Sequence, residues 1–423
     1  MSNSSRPVYS GGGSSKRKGA PGTAGVVDGN EFDSNLPISI VIDGSRGEGG
    51  GQILRNAISY ANILRKPVRI TNIRAARSKP GLRAQHLTGL RLACQVSGGS
   101  LTGDELGSTE ISYQPAPESN KSAERHLQGD IGTAGSICLL LQVALPCALL
   151  GSQVPCRLTL KGGTNATLAP QCDYWEQVFW PTLREQCGLE DSQMQTTVVR
   201  RGYFPKGGGE VNVRIEPCQR ALQPISLTEK GDVCEIRIRA FHAGRLPRYL
   251  AQKMADAACK HLQQCMGNRV DYHIQVVTEN EVIGSALGIL IVAKTSTGCL
   301  LAGSALSAPG KDAGGVGIEA ATELFSTLQD GGCVDEWQQD QLIIFMALAE
   351  GSSEMVTGSL TLHTQTAIWI AEEMIDGVKF EVTKLSEEKE ASQDHGYGQN
   401  GRIAGKHLIR CSKGLGMRRG NPR

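Results

Sequence analysis

The chain has 423 residues, a length that favours two or three domains over one. Lysine and arginine number 44 and aspartate and glutamate number 42, so the net charge is only +2. This balance excludes a strongly basic protein that binds nucleic acid through its overall charge. Apolar residues make up 39% of the chain, enough for a sizeable core, and the 52 glycines exceed average usage, which is roughly 7%.

The thirteen cysteines form no recognisable disulfide or zinc pattern. The two closest, Cys259 and Cys265, are six positions apart, so no C-x-x-C motif is present. We expect reduced, mostly buried thiols, as in a cytosolic or nuclear protein. The longest apolar run, 137–150, is too short to span a bilayer and contains Gln142 and Pro146. No signal peptide is recognised, and we expect no membrane role.

Both ends of the chain are expected to be polar tails. Residues 1–36 are rich in Ser, Gly, Asn and Pro and lack apolar periodicity, which predicts disorder. Within them, Lys16, Arg17 and Lys18 are a weak signal for nuclear import. Residues 384–423 change from acidic to basic, and from His395 onward there are seven Lys or Arg and no carboxylate. We expect this tail to be solvated or to contact RNA.

Between the tails, three segments share one plan: an apolar helix, a short strand that contains threonine, and a second helix after a polar loop. Helical periodicity that alternates with β-branched and leucine-rich runs is typical of an α/β layer. The predicted helix, strand and helix are 52–64, 68–73 and 82–96 in the first unit, 136–150, 156–160 and 171–187 in the second, and 340–349, 358–362 and 367–375 in the third.

The spacing of the strand threonines predicts an inserted domain. Thr71 and Thr159 lie 88 positions apart, but Thr159 and Thr361 lie 202 apart, an excess of 114. The insert has predicted strands at 233–240, 272–278, 287–293 and 299–302 and predicted helices at 246–265 and 318–328. The predicted organisation is a tail (1–36), core repeats one and two (37–222), the insert domain (223–330), core repeat three (331–383) and a second tail (384–423).

A glycine-rich loop before the first helix is a candidate phosphate site. No G-x-x-x-x-G-K-[ST] motif occurs, which argues against a P-loop enzyme. Residues 47–52 contain three consecutive glycines, which would allow close backbone approach and place an anion at the helix N-terminus. Glu48 would add a hard oxygen ligand suited to Mg²⁺ on phosphates. The alternative, a plain turn with an exposed glutamate, stays open at this point.

A long stretch without acidic residues follows this loop. Between Gly49 and Gly103 there is no Asp or Glu, and nine basic residues are present. Because no carboxylates are interspersed, we predict an anionic substrate, a nucleotide or an RNA backbone, rather than a solvated face. Guanidinium groups suit phosphates. The basic residues in the polar loop after the first strand are Arg74, Arg77, Lys79 and Arg83.

His363 is the candidate nucleophile. It alone among the eight histidines is predicted to end a repeat strand beside polar Thr and Gln side chains. A neutral imidazole can attack phosphorus, and much of an imidazole population is neutral at pH 7. A structural histidine is the alternative that composition alone would favour. The histidines interpreted as surface or tail positions are His126, His261, His273, His395 and His407.

Several motifs stand in a fixed order along the chain. They are DGSRGEGGGQILR at 43–55, RSKPGLRAQH at 77–86, GTAGS at 132–136, KGGTN at 161–165, RGYFPKGGGE at 201–210, DQ at 340–341 and LHTQT at 362–366. Together they resemble the RNA 3′-terminal phosphate cyclase family, from about residue 38 to residue 382.

The resemblance implies a fold and a reaction. The fold is α/β (α+β), with three βαβαββ-type repeats interrupted by a small thioredoxin-like α/β insert. In the implied reaction, His363 takes AMP from ATP, releases pyrophosphate, and passes the AMP to an RNA 3′-phosphate. The neighbouring 2′-hydroxyl then expels AMP and closes a 2′,3′-cyclic phosphate.

The resemblance also implies site residues and partners. Glu48 would help to hold a divalent metal, Mg²⁺ or Mn²⁺. Arg55 and the basic loop from Arg74 to Arg83 would bind the transferring phosphates or the RNA end. The implied partners are ATP as a substrate and RNA 3′-phosphate ends, with no obligatory protein partner. The implied location is the nucleus, with the cytoplasm as a second. The residues expected around the adenylate are Gln142, Pro170, Trp337, Asp340 and Gln341.

Two other functions stay open. A non-catalytic RNA-binding scaffold of the ribosome-biogenesis type has a similar fold but lacks the nucleophilic histidine, which is present here as His363. An enolpyruvyl-type transferase resembles the repeat architecture but does not use this histidine. Uptake of label from α-labelled ATP separates the cyclase from both.

Overall fold

The computed structural model describes residues 40–116, 123–267, 270–386 and 402–417. The predicted N-terminal tail with its basic residues 16–18 lies outside these ranges, as do residues 387–401 and 418–423 of the predicted C-terminal tail. None of the helices in the described ranges combines the length and the apolar character that a membrane span requires. All thirteen cysteines are described and are free thiols, ten of them buried, as the sequence predicts.

The first repeat has the order strand, helix, strand, helix, strand, strand. Its elements are β1 (Ile40–Asp43), α1 (Gly51–Leu64), β2 (Val68–Thr71), α2 (Ala84–Ser97), β3 (Ser100–Thr102) and β4 (Ile111–Gln114). β1 and β2 are parallel, since α1 provides the crossover that parallel neighbours need, and β4 pairs antiparallel with both β2 and β3. The sheet order is β1-β2-β4-β3.

The second repeat has the same connectivity. Its elements are β5 (Arg125–Asp130), α3 (Ile137–Pro146), β6 (Cys156–Gly162), α4 (Cys172–Tyr174), α5 (Trp180–Cys187), β7 (Met194–Gly202) and β8 (Gly209–Ile215). The order β5-β6-β8-β7 repeats that of the first sheet. The π-helical turns Cys147–Gly151 and Trp175–Phe179 extend the α-helical segments, which explains the longer helices predicted there.

The third repeat begins with β9 (Ser226–Leu227) and is then interrupted. The interrupting elements are β10 (Val233–Ala243), α6 (Arg248–Met266), β11 (Asp271–Glu279), β12 (Val282–Ile283), β13 (Ala286–Thr295), β14 (Leu300–Leu306) and α7 (Ala313–Asp330). Four of these strands form one sheet, β11-β10-β13-β14, whereas β12 pairs with β7. The predicted strands and helices of this segment are confirmed. A separate, thioredoxin-like insert domain stays a prediction.

The third repeat then resumes and is completed. The remaining elements are α8 (Glu336–Gln341), α9 (Ile343–Leu348), β15 (Glu350–Thr357), α10 (Leu362–Met374), β16 (Phe380–Ser386) and β17 (Lys406–Leu415). The order β9-β15-β17-β16, with one parallel and two antiparallel pairs, is that of the other two sheets. The structure confirms the α/β fold class and the three βαβαββ repeats.

The predicted strand at 358–362 is wrong. β15 ends at Thr357, and α10 begins at Leu362. Thr361 is the N-cap of α10, because its hydroxyl accepts a hydrogen bond from the backbone N–H of Thr364 at 3.1 Å. Threonine favours strands, but its hydroxyl also makes it a favoured N-cap before an apolar helical run. At this position the capping role decides the structure.

The predicted C-terminal tail is wrong over residues 406–415. These residues form β17, which lies between β15 and β16. His407, Ile409 and Cys411 are buried and Arg410 is exposed, as expected when alternate side chains of a strand face opposite sides of a sheet. Arg410, one of the basic residues that suggested a solvated tail, is therefore on the solvent-facing side of this strand. The interpretation of His407 as a surface or tail residue is also wrong. Repeat three therefore extends beyond 331–383, back to β9 and on to β17.

The position of β17 predicts a stability difference between two neighbouring residues. Ile409→Ala removes a fully buried side chain and should lower the free energy of unfolding by about 2–5 kcal/mol in urea denaturation. Arg410→Ala removes a half-exposed ion pair with Glu354 and should change it by about 1 kcal/mol at most. Small effects of both substitutions would contradict the assignment of β17.

Candidate active site

The glycine-rich loop between β1 and α1 is folded against α10. Gly47 and Gly49 both have φ of +60°, a conformation that favours glycine. A Cβ atom on Gly47 would lie 2.6 Å from Thr366 Oγ1, so the backbone can approach α10 only without a side chain there. Glu48 donates its backbone N–H to the same Thr366 oxygen at 3.0 Å. The loop thereby holds Glu48 against the first turns of α10.

The carboxylate of Glu48 is largely buried. Its side chain is 12% exposed, and its Oε1 accepts a hydrogen bond from Arg77 Nη2 at 2.5 Å. Arg77 also donates to the backbone carbonyl of Glu48 at 3.0 Å. The second oxygen, Oε2, is buried and has no hydrogen-bond partner. The alternative of an exposed glutamate on a plain turn is therefore wrong, and the free oxygen could accept a cation.

A buried chain of polar contacts joins α1 to α8. Gln52 Nε2 donates to Asp340 Oδ2 at 2.6 Å, and Arg55 Nη2 donates to Gln52 Oε1 at 2.7 Å. Burial lowers the pKa of Arg55, an effect that the charges of Asp340 and Glu48 oppose. Burial raises the pKa of Asp340, and the charges of His363 and Arg55 oppose that shift. Arg55, Asp340 and Glu48 therefore share one electrostatic environment with His363.

His363 lies in the first turn of α10 and is exposed. The prediction that it ends a strand is wrong, because Thr361 caps a helix that has already begun at Leu362. The first turn of a helix leaves backbone N–H groups free, and these favour negative charge nearby. His363 is thus exposed to solvent, lies at a helix N-terminus, and interacts with the buried charge of Asp340. This surrounding suits a reaction at an anionic phosphate.

The basic loop between β2 and α2 is held in a compact turn. Arg74 Nη1 donates to the carbonyl oxygens of Lys79 at 2.7 Å and Gly81 at 3.0 Å. Burial lowers the pKa of Arg74, and the charges of Arg77 and Arg83 lower it further. Arg77 reaches Glu48, while the side chains of Lys79 and Arg83 are exposed. Arg77 therefore pairs with Glu48 while its side chain, like those of Lys79 and Arg83, stays exposed, and Arg55 and Arg74 interact with the charge of Glu48.

His86 is a site residue that the sequence reasoning missed. Its Nδ1 accepts the backbone N–H of Arg83 at 3.3 Å. A Cβ atom on Gly51 would lie 2.7 Å from its Nε2 and 2.8 Å from Arg55 Nη1, so His86 lies beside the start of α1. Burial and the charges of Arg55, Arg74 and Arg83 lower its pKa to about 3. Its place at the end of the motif 77–86 was the only available signal.

The residues assigned to the adenylate are brought together only in part. Gln142 and Gln341 line one small cavity with Trp175. Gln142 Oε1 and Trp175 Nε1 are buried there without a hydrogen-bond partner, so both could bind a ligand. Gln341 Nε2 donates to the backbone carbonyl of Trp337, which is half-buried at the start of α8. Pro170 is buried in the loop before α4 and does not line this cavity.

The pKa of His86 predicts a change in stability with pH. The folded state keeps His86 neutral down to about pH 3, whereas the unfolded chain takes up the proton near pH 6.5. Stability therefore falls as the pH is lowered through this range. In His86→Gln, the free energy of unfolding measured by urea denaturation should decrease less steeply between pH 6.5 and pH 4 than in the wild type. The difference in slope should be up to about 1.4 kcal/mol per pH unit. Equal slopes would contradict a neutral imidazole at this site.

Comparisons with known proteins agree with the motifs at this site. A family model described as RNA 3′-terminal phosphate cyclase matches residues 46–382. The chain is similar to the RNA 3′-terminal phosphate cyclase of Pyrobaculum aerophilum, with 39% identity over 343 residues, 81% of this chain and 94% of that protein. The protein of the same name from Drosophila melanogaster is 38% identical over 349 residues, 81% of this chain and 92% of its own length. The one from Methanothermobacter thermautotrophicus is 39% identical over 343 residues, 81% and 96%. The chain therefore belongs to the RNA 3′-terminal phosphate cyclase family of enzymes.

Proposed function

We propose that the protein converts an RNA 3′-phosphate end to a 2′,3′-cyclic phosphate, using ATP and a covalent histidine–AMP intermediate. The observation that carries this proposal is the position of His363, exposed in the first turn of α10 and in electrostatic contact with the buried carboxyl group of Asp340. A structural histidine has no need of solvent access. Covalent transfer requires it, because ATP and RNA must reach the imidazole in turn.

In the first step, a nitrogen of the neutral His363 imidazole bonds to the α-phosphorus of ATP. The bond from that phosphorus to the pyrophosphate oxygen breaks, and pyrophosphate leaves. The imidazole gains positive charge as it attacks, and the nearby carboxylate of Asp340 would stabilise this charge. The guanidinium of Arg55 and the first turn of α10 would stabilise negative charge on the phosphoryl oxygens.

The second and third steps transfer the nucleotide and close the ring. An oxygen of the RNA 3′-phosphate attacks the phosphorus of the histidine-bound AMP, and the bond from phosphorus to the His363 nitrogen breaks. The neighbouring 2′-hydroxyl then attacks the activated 3′-phosphate, loses its proton and expels AMP. The arginines of the basic loop would bind the terminal phosphate, since guanidinium groups match phosphate oxygens.

We infer that Glu48 binds a divalent metal, Mg²⁺ or Mn²⁺, together with the phosphates of ATP. The buried Oε2 of Glu48 has no hydrogen-bond partner, and a carboxylate oxygen fits such a hard cation. Within the described ranges, no group of three His, Cys, Asp or Glu side chains is arranged to hold a metal. Substrate phosphates and water would complete the coordination. When bound, the ion neutralises negative charge on the triphosphate.

We also propose that Gln142 and Gln341, which line one small cavity, contact the adenylate, with Trp337 as the flat aromatic for the base. The orphan polar atoms in that cavity support this assignment. Pro170 keeps its assignment only from the family resemblance. Residence in the nucleus, with the cytoplasm as a second location, is proposed on the same basis.

His363→Ala should abolish covalent labelling. Wild-type protein incubated with α-labelled ATP and Mg²⁺ should carry acid-labile label on the chain, and His363→Ala should lose at least about a thousandfold of the labelling rate because it lacks the nucleophile. His126→Ala is the matched control, because His126 is 71% exposed on β5 and should label normally.

The same assay separates the alternatives. A wild-type chain that takes no label, or a His363→Ala chain that labels as fast as wild type, would overturn the proposed mechanism. A non-catalytic scaffold would bind RNA without any ATP-dependent change at a 3′-phosphate end. Conversion of that end to a cyclic phosphate by the wild type alone supports the cyclase.

Glu48→Gln should raise the concentration of Mg²⁺ required for half-maximal labelling. The substitution keeps the size of the side chain but removes the charge, so we expect an increase of roughly tenfold or more. The measurement is the labelling rate over a series of Mg²⁺ concentrations. Glu110→Gln is the control, since Glu110 is paired with Arg69 on the surface. An unchanged requirement in Glu48→Gln would remove Glu48 from the metal site.

A further inference from the structure

A single buried amide on α8 holds the segment that carries His363. Gln339 is 1% exposed, and all four hydrogen-bonding positions of its side chain are used. Its Nε2 donates to Thr357 Oγ1 and to the backbone carbonyl of Ser359 at 3.2 Å. Its Oε1 accepts the backbone N–H of Thr361 at 3.0 Å and the hydroxyl of Thr364 at 2.6 Å.

All of these partners lie between the end of β15 and the first turn of α10. Thr361 is the helix N-cap, and His363 stands between Thr361 and Thr364. Thr357 and Thr364 are fully buried, so water does not compete for their hydrogen bonds with Gln339. The backbone on both sides of His363 is therefore tied to one side chain of α8.

The next residue of α8 lies in the same electrostatic environment as the imidazole. Asp340 follows Gln339, and its charge interacts with that of His363. The position of α8 therefore determines where the backbone of the His363 turn lies and where the carboxylate of Asp340 lies. A displacement of about 1 Å at a reacting group can cost roughly a hundredfold in rate.

We propose that Gln339 is a positioning residue that holds His363 in the orientation for attack on the α-phosphorus of ATP. The inference rests on the proposed function, because it concerns the rate of the same covalent step. Protein groups occupy all four hydrogen-bonding positions of the Gln339 side chain, so we assign it no contact with ATP. It acts through the turn from Thr357 to Thr364.

The chain offers a matched control one position away. Gln338 lies on the same helix and is 0% exposed, but its Nε2 donates to the backbone carbonyl of Leu300 on β14 at 2.6 Å. Gln338→Leu thus removes a buried amide without touching the turn of His363. A general loss of polar packing would affect Gln338→Leu and Gln339→Leu alike, whereas loss of positioning would affect only the latter.

The test compares wild type, Gln339→Leu, Gln338→Leu and Thr364→Val. Thr364→Val keeps the backbone N–H that the N-cap binds and removes the hydroxyl that donates to Gln339 and that also contacts the hydroxyl of Thr361 at 2.9 Å. For each, we would measure the single-turnover rate of label transfer from α-labelled ATP. We would also measure the Kd of an ATP analogue that cannot be cleaved, and the thermal unfolding curve.

We expect the transfer rate of Gln339→Leu to fall about a hundredfold and that of Thr364→Val about tenfold, with the Kd of the analogue within about threefold of wild type. Gln338→Leu should keep the rate within about threefold, whatever its loss in Tm. A rate for Gln339→Leu or Thr364→Val that matches Gln338→Leu would overturn the inference. If Gln339→Leu does not fold, Thr364→Val decides the question alone.

These outcomes are distinct from failure of the proposed function. A wild-type chain that takes no label overturns the covalent mechanism and, with it, the role of Gln339. A wild-type chain that takes label, together with Gln339→Leu and Thr364→Val chains that label at the wild-type rate, overturns only the role of Gln339. A weaker affinity for the analogue in Gln339→Leu with an unchanged transfer rate would also overturn it, since positioning acts on the chemical step.

Discussion

The site depends on buried hydrogen bonds between the first and third repeats. Gln52 and Asp340 are 288 positions apart in the chain, and their 2.6 Å bond joins α1 to α8. Glu48 and Thr366, 318 positions apart, join the glycine-rich loop to α10. Buried bonds of this kind are costly to break, because a partner left alone is deprived of water as well. They hold the glutamate, the arginines and the histidine in one place.

Balanced burial of charge gives the site its character. Taking the guanidinium of Arg55 out of water is unfavourable, and the charges of Asp340 and Glu48 offset that cost. Residues 49–103 of the first repeat include basic residues but no Asp or Glu. The charges around His86 are therefore those of arginines. Burial, together with this positive environment, keeps His86 neutral, and the same environment favours phosphate oxygens. The near-neutral total charge gave no sign of this local asymmetry.

The repeats could be predicted because their signals are local. The period of the apolar residues predicts helices and strands, and an insert is indicated by a longer distance between corresponding residues of two repeats. The prediction failed where a residue type has two uses. The strand propensity of Thr361 predicts a strand, but Thr361 caps α10. The basic residues of β17 predict a solvated tail, but alternate side chains of that strand are buried. In both places, packing against distant segments decides between two locally acceptable structures.

The sequence alone determined the class of the site, because glycine spacing, an acid-free stretch and a family-like set of motifs are properties of residue order. His363, Glu48, Arg55 and Asp340 could be named from it. Only the tertiary structure decided that His363 lies in the first turn of a helix, that Glu48 is largely buried, and that Gln52, His86 and Gln339 belong to the same neighbourhood. These facts depend on contacts between residues hundreds of positions apart, and no local pattern of side chains specifies which distant partner will fill a given position.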